Sequence, residues 1–309
     1  MTATVVVIGS VNMDLVIRMP RLPRPGETVI GGTFTRNHGG KGANKAVAAS
    51  TLGASTFLIA AVGDDSFGRE ARAALVESGV DVSRVTVGTD PTGVAGIMVD
   101  DRGENLIAVA SGANFGLHAQ QVTEALDGLL QPGTVIVADL EVPEDAVLAA
   151  AQAAREAGCV FVLNPAPAHP LPAKLLSLCS VLAPNEHEAG SLGWSSVDSL
   201  LARGAGAVIV TRGAQGADLF RPGEPVFHQT AFPISVVDTT GAGDAFTATL
   251  AWAISEGYPL ENSVRLAAAG GALATTRLGA RSGLASRPEV ESLAATAAPE
   301  GTGILPRDG

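Results

Sequence analysis

The run Val236-Val237-Asp238-Thr239-Thr240-Gly241-Ala242-Gly243-Asp244-Ala245-Phe246 passes from a β-branched, strand-like segment through two glycines into an apolar helical stretch. A strand that feeds a helix through so tight a turn belongs to a fold with helices laid on a sheet. The same alternation runs outward from it. Short β-branched runs at Thr4 to Ile8, Thr134 to Ala138, Val160 to Leu163 and Ala207 to Val210 interleave with Ala-rich stretches, which predicts an α/β/α sandwich of three layers with a mostly parallel central sheet. Helices are predicted over Ala43 to Leu52, Phe67 to Ser78, Glu144 to Ala157, Asp244 to Ile254 and Asn262 to Thr276, with Gly158 ending the third.

Composition agrees with this layering. Of 309 residues 46% are hydrophobic and only 4% aromatic, so the core is built from small aliphatic side chains packed between layers. A formal net charge of −11 disfavours nucleic acid and anionic membrane surfaces as partners, although local amides still suffice for a small anion. No stretch reaches transmembrane length, and Met1 to Gly9 lacks a basic leader, so a cytoplasmic protein is expected. Cys159 and Cys179 show no paired C-x-x-C spacing and read as small buried residues in a reducing compartment.

Two places break the alternation. Asp14 to Arg36 and Thr92 to Ala110 read as strands and turns without a helix between them. Segments of about 15–36 and 92–110 therefore form either a small β-lid over the sheet edge or ordinary surface hairpins. The expected organisation is one domain over 1–293, with residues 294–309, rich in Ala, Gly and Pro, as a flexible tail.

The chemistry-bearing residues cluster at turns that follow candidate strands, where open α/β sheets bind ligands. At Gly241, Ala242 and Gly243, backbone N–H groups at a helix start favour an anion such as phosphate. Asp244 follows them directly, and a carboxylate in a phosphate pocket calls for a reason. One reason is general-base catalysis on an attacking hydroxyl, with the three amides stabilising the group transferred. Taken alone, a Gly-Ala-Gly-Asp turn is more often a plain helix cap. Asn37-His38-Gly39-Gly40-Lys41-Gly42-Ala43-Asn44-Lys45 fails the Walker pattern, because Lys41 is followed by Gly42; close backbone approach at the glycines, with Asn44 in the first helical turn, suits a polyhydroxyl ligand. Asn12 and Asp14 alternate along an extended chain and face the same way, so they could share a pair of sugar hydroxyls, although taken alone the pair is more often a polar strand end. Glu141, Asn164 and the group Asn185-Glu186-His187-Glu188 follow further strands, and Asn185 with Glu188 could hold water around Mg²⁺ or simply start a helix. The five histidines show no metal-ligand spacing.

In this order, Gly9-Ser10-Val11-Asn12-Met13-Asp14, Gly39-Gly40-Lys41-Gly42-Ala43-Asn44, Asn164-Pro165-Ala166-Pro167, Pro184-Asn185-Glu186 and Asp238 through Asp244 resemble the ribokinase group of phosphofructokinase-B-type sugar and nucleoside kinases. The resemblance runs from the first strand to Gly283. It implies a sugar site made by Asn12, Asp14, Gly40, Lys41, Asn44 and Glu141, with Asp244 as the base beneath the primary hydroxyl of D-ribose. It implies an ATP site along Asn185, the loop Thr211-Arg212-Gly213-Ala214-Gln215-Gly216, Gly243 and Ala268, with Mg²⁺ held through water by Glu188. An activating K⁺ would take oxygens from Asp238, Thr240, Ala274, Arg277, Gly279 and Gly283, and a homodimer would form through the lid. Other pentoses, fructose, nucleosides, or a silent sensor on the same fold are the alternatives. The chain departs from the group's pattern at Asn37-His38, at Lys45 where Gln is common, at Ala268 where a larger side chain can cover adenine, and at Gly283 where a hydroxyl residue can assist the cation.

Overall fold

The computed structural model describes residues 3–192 and 196–296. Its strands are β1 (Thr4–Ile8), β2 (Asn12–Arg18), β3 (Thr33–Gly39), β4 (Ser55–Gly63), β5 (Val85–Gly88), β6 (Gly93–Val99), β7 (Asn105–Ala110), β8 (Val135–Ala138), β9 (Val160–Leu163), β10 (Val181–Leu182), β11 (Ala207–Thr211), β12 (Ala217–Phe220) and β13 (Phe227–Gln229). The helices are α1 (Lys41–Thr51), α2 (Ser66–Glu77), α3 (Ala119–Ala125), α4 (Glu144–Glu156), α5 (Ala173–Leu178), α6 (Glu186–Ser191), α7 (Val197–Ala202), α8 (Ala242–Ser255), α9 (Leu260–Ala274) and α10 (Arg287–Thr296).

Nine strands form the main sheet in the order β13-β12-β11-β10-β9-β8-β1-β4-β5. Pairing is parallel from β11 to β5, and β12 and β13 add an antiparallel edge. The strand interiors are apolar on both faces: Val5 and Val7 enter one core cluster, and Val6 and Ile8 the other. A strand covered on both sides has no polar face to show, which is why these runs read as continuous rather than alternating. The first cluster is closed by α1, α8 and α9 and the second by α4 and α5, so the three-layer sandwich is the architecture found.

The two non-helical stretches assemble into a second sheet of four strands, in the order β3-β2-β6-β7. The pair β2·β6 is parallel and the flanking pairs are antiparallel. Surface hairpins alone would have left β2 and β6 unpaired, so the lid is the arrangement adopted. It stays joined to the body because β2 begins at Asn12, directly after the buried Val11, and its first rung pairs Asn12 with both Gly39 and Gly93.

Two sequence expectations shift. The apolar run around Val236 and Val237 is not a strand; both side chains are exposed, and the segment is held by the N–H groups of Val237 and Asp238 donating to the Thr275 carbonyl. Helix α10 continues to Thr296 because Val290 and Ala294, one helical turn apart, are both buried. The remainder of the expected tail lies outside the described residues. Cys159 and Cys179 are free and buried, and burial pushes the Cys179 thiol up to about 12. Among the described residues no helix is long and apolar enough to cross a membrane.

Where helix α1 meets the end of β1, the two approach backbone to backbone. A Cβ built at Gly42 would lie 2.5 Å from the carbonyl carbon of Gly9, and one at Gly9 would lie 2.4 Å from an Asp139 oxygen. We expect Gly42→Ala to lower stability by about 1–3 kcal/mol, read as a fall in the urea midpoint without a change in slope; an unchanged midpoint would show that α1 can move away at no cost.

Candidate active site

The site forms where the first turns of α1 and α8 face each other beyond the ends of β1 and β8. Each turn is set by a glycine. Gly40 precedes α1 with φ 89°, and a Cβ there would lie 2.6 Å from the Ser10 carbonyl. Gly241 precedes α8 in the left-handed region at φ 78°, with Ala280 backbone 2.8 Å from where its Cβ would be. Any other residue is both strained and obstructed at these two positions.

Asp244 is the third residue of α8, and it does not cap that helix: no side-chain capping bond is made. Its carboxylate turns instead toward α1, where Oδ1 accepts from Lys45 Nζ at 2.7 Å and Oδ2 accepts from Asn44 Nδ2 at 3.1 Å. Of the three expected anion-binding amides, that of Ala242 donates to the Thr239 carbonyl at 3.2 Å. The N–H groups of Gly243 and Asp244 fall in the first turn, where no intrahelical acceptor exists. A Cβ at Gly243 would meet nothing within 4 Å, so the approach to this turn is open.

On the side toward the lid, Glu141 gathers three donors: Ser10 Oγ, Asn12 Nδ2 at 3.4 Å and the Lys41 backbone N–H at 3.4 Å. Asn12 Oδ1 is anchored by Asn114 Nδ2 at 2.7 Å. The Asp14 carboxylate lies over Gly39, where a Cβ would come within 2.1 Å of it. Burial raises Asp14 to about 6, against the lowering influence of Arg281. Asn12, Asp14, Gly40, Lys41, Asn44, Glu141 and Asp244 are thus brought to one place.

On the other side of Asp244, Lys41, Asn185, Glu188, Thr211, Gly243 and Asp244 line one cleft. Asn185 and Glu188 meet there as a capping box for α6: the Glu188 N–H donates to Asn185 Oδ1 and the Asn185 N–H to Glu188 Oε2, both at 2.8 Å. The helix-start reading of this pair is therefore realised, and burial raises the Glu188 carboxyl. Arg212 pairs with Asp218 at 2.8 Å, and Gly213–Gln215 forms one 3₁₀ turn ending at Gly216. Ala214 lies in that turn, while Ala268 sits half-buried against the core on α9, away from the lining of the cleft.

Among the described residues no three His, Cys, Asp or Glu side chains gather as a metal set. A divalent ion would need substrate oxygens and water in addition to Glu188, which suits the hard, well-hydrated Mg²⁺. The expected monovalent site is a knot of backbone. Asp238 Oδ1 accepts from the Thr240 N–H at 2.9 Å and Oδ2 from the Gly279 N–H at 2.8 Å. Burial opposes ionisation of Asp238, yet these bonds hold its carboxyl below the usual range. A Cβ at Gly283 would fall 2.2 Å from the Ala274 carbonyl oxygen, so the two segments expected to offer carbonyls pack backbone to backbone, and a hydroxyl side chain has no room there. The Arg277 side chain donates from Nη1 to the Ser282 carbonyl at 3.2 Å.

Sequence reading missed three members. Asp139 follows β8 and is fully buried; its place at a strand end was a signal as good as that of Glu141. Asn114 comes from the 3₁₀ segment Gly112–Gly116, with nothing in the sequence to mark it. Arg281 reaches back from the loop after α9, its Nε donating to Asn44 Oδ1 at 2.9 Å and its Nη2 to the Gly39 carbonyl at 3.2 Å. Burial lowers Arg281 to about 10, with Asp14 and Asp244 opposing that shift.

The profile of the pfkB family of carbohydrate kinases matches residues 2–287. A ribokinase from Haemophilus influenzae is 37% identical over 300 residues, covering 94% of this chain and 97% of its own. One from Bacillus subtilis is 36% identical over 288 residues, covering 93% and 98%. The structure of an Arabidopsis thaliana ribokinase complexed with ribose and ATP superposes with a TM-score of 0.84 at 32% identity, covering 95% of this chain and 99% of that one.

Since Arg281 is the leading influence that opposes burial at Asp14, removing it should drive this carboxyl further up. The ¹³C carboxyl resonance of Asp14 is expected to titrate near 6 in the parent and at higher pH in Arg281→Ala. A lower midpoint in the variant would contradict the placement of the guanidinium.

Proposed function

Since the chain belongs to the pfkB family of carbohydrate kinases, we propose that it transfers the γ-phosphoryl group of ATP to the 5-hydroxyl of D-ribose, giving ribose 5-phosphate. The observation that carries this reading is the setting of Asp244. Its carboxylate is the acidic group at the open first turn of α8, between the polar cluster under the lid and the cleft shared by Asn185 and Thr211. A hydroxyl held by Asn12, Asp14, Gly40, Lys41, Asn44 and Glu141 would meet that carboxylate on one side and a phosphate on the other.

In the transfer Asp244 takes the proton as the acceptor oxygen forms its bond to phosphorus, and the bond to the leaving oxygen of ADP breaks with its electron pair. The free N–H groups of Gly243 and Asp244 face the equatorial oxygens, where the helix start adds partial positive charge. Lys41, lining the same cleft, adds a full one. Mg²⁺, when bound, screens the polyphosphate charge. Asn185 and Glu188 would orient it through water, and Asp238, Thr240, Ala274, Arg277, Gly279 and Gly283 would hold K⁺ and stiffen the turn at Gly241. The loop from Thr211 to Gly216 and the face of α9 at Ala268 would flank the nucleotide. Closing the lid would exclude water and limit loss of ATP to hydrolysis.

A second reading keeps the transfer and changes the acceptor. It is favoured by Arg281, whose guanidinium occupies two acceptors on the sugar side, Asn44 Oδ1 and the Gly39 carbonyl, and so alters the hydroxyl pattern that fits.

ADP release with Mg²⁺-ATP and D-ribose, with and without K⁺, tests the assignment. Ribose-dependent turnover is expected, falling between about 100- and 10,000-fold in Asp244→Asn with the fold intact. Activity confined to another sugar would replace ribose and keep the mechanism, and full activity in Asp244→Asn would remove the base.

On the face of the lid opposite Asp14, Phe34, Ile17 and Leu106 are exposed along one cross-strand row, while Ile107 and Val109 are exposed on the face that carries Asp14. A row of apolar side chains on a four-stranded sheet supports pairing of two copies through this surface. Light scattering should give twice the chain mass, reverting to one in Phe34→Lys/Leu106→Lys; a monomeric parent would remove the dimer.

A further inference from the structure

Lys45 is a charged side chain with no exposed surface, enclosed in α1 among Ala43, Ala46, Val47, Ala48 and Ala49. A buried ammonium is retained only where partners replace its water. Its partners are Asp244 Oδ1 at 2.7 Å, the Lys41 carbonyl at 3.4 Å and Asp139 Oδ2 at 3.5 Å. The last is within ion-pair reach without being a hydrogen bond, and Asp139 Oδ2 accepts no hydrogen bond among the described residues. Asp139 is itself held in place, its Oδ1 accepting the Glu141 N–H at 3.1 Å and its Oδ2 lying over Gly9.

We infer that Lys45 is a positioning residue for phosphoryl transfer: its ammonium aims the Asp244 carboxylate at the acceptor site and sets positive charge against it, while Asp139 shares that charge and limits its hold on Asp244. The inference rests on the base role proposed above. A neutral side chain at position 45 could aim the carboxylate but could not supply the charge. With both carboxylates ionised the trio carries one net negative charge. Once Asp244 accepts the acceptor's proton the trio is neutral, because Lys45 and Asp139 then balance each other. Without Asp139 the same step would leave a buried net positive charge. Lys45 and Asp139 thus make opposite contributions to the charge beside Asp244: one supplies it and the other offsets part of it. Burial weighs against the charged Lys45, but the attraction of Asp244 and Asp139 outweighs it and the amine is raised, while burial raises Asp139.

The other charged groups that face Asp244 come from every neighbouring element. Asp14 on β2, Glu188 on α6 and Arg281 after α9 interact with it across the site, Lys41 on α1 lines the same cleft, and Glu141 acts on Lys45 and Asp139. Those groups are unchanged in the test below, so a shift there reports position 45 or 139.

The test needs no sugar at first. The ¹³C carboxyl resonance of Asp244 is followed against pH in the parent, in Lys45→Gln, which keeps a donor and drops the charge, and in Asp139→Asn. The midpoint is expected to rise by about one pH unit or more in Lys45→Gln and to fall in Asp139→Asn. With the sugar that turns over, the acidic limb of kcat/KM should move in the same two directions. A midpoint unmoved in the folded variants overturns the inference, and so does a moved midpoint with an unmoved limb. If Lys45→Gln does not fold, Asp139→Asn and the double variant Lys45→Gln/Asp139→Asn decide the sign. Turnover with no acceptor at all would count against the kinase reading alone, since the resonance still reports what Lys45 does to Asp244.

Discussion

A buried ammonium between two carboxylates joins the two halves of the site. Lys45 on α1 reaches Asp244 on α8 and Asp139 after β8, and the arrangement holds only if α1 lies close against the end of β1. That closeness is a backbone property. Gly9 and Gly42 touch where any side chain would intrude, and the Ala43 N–H donates to the Ser10 carbonyl at 2.9 Å. The glycines permit the approach, and the approach places the charge. Breaking a buried pair by removing one member typically costs about 3–5 kcal/mol, so the arrangement constrains the fold as well as the chemistry.

The same economy of side chains appears around the anion-binding turn. Gly241 is pressed on Ala280, and Gly283 on the Ala274 carbonyl, so the loop after α9 is packed against the start of α8 by backbone. Arg281 leaves that loop and bonds Asn44 and Gly39. The loop expected to hold a monovalent cation and the loop expected to hold the sugar therefore share one guanidinium. A displacement of either is transmitted to the other through two hydrogen bonds, which gives a physical route by which a cation at Asp238 could alter sugar binding without touching the sugar.

Much of the fold was legible because parallel strands covered on both faces are apolar throughout and the helices between them end at glycines, as at Gly158. The edge hairpin β12·β13 was not picked out. Its strands are four and three residues long, too short for a period, although Pro222-Gly223 between them was a turn signal. In the site, the ordered motifs named the residues on the loops, while the groups that act on them from a distance stayed hidden. Arg281 is 237 positions from Asn44, and nothing local shows the meeting. Lys45 stood out only as a departure from the expected Gln. In sequence a lysine four residues after Lys41 reads as a solvated helix face, and only packing reveals that the face is inside.

The lid illustrates how placement follows from one short connection. Asn12 and Asp14 belong to β2, a lid strand, whereas Asn44, Lys45 and Asp244 belong to helices of the body. The groups proposed to grip the sugar are therefore divided between the two sheets, and they complete a site only when the base of the lid stands over α1. The rung Asn12 with Gly39 lies at that base, and the apolar row of Phe34, Ile17 and Leu106 lies further out. Covering the outer face by a second copy would stiffen the strands that carry Asn12 and Asp14. Assembly would then reduce the freedom lost when the sugar is held, so that pairing of subunits and affinity for the acceptor become linked through β2 itself.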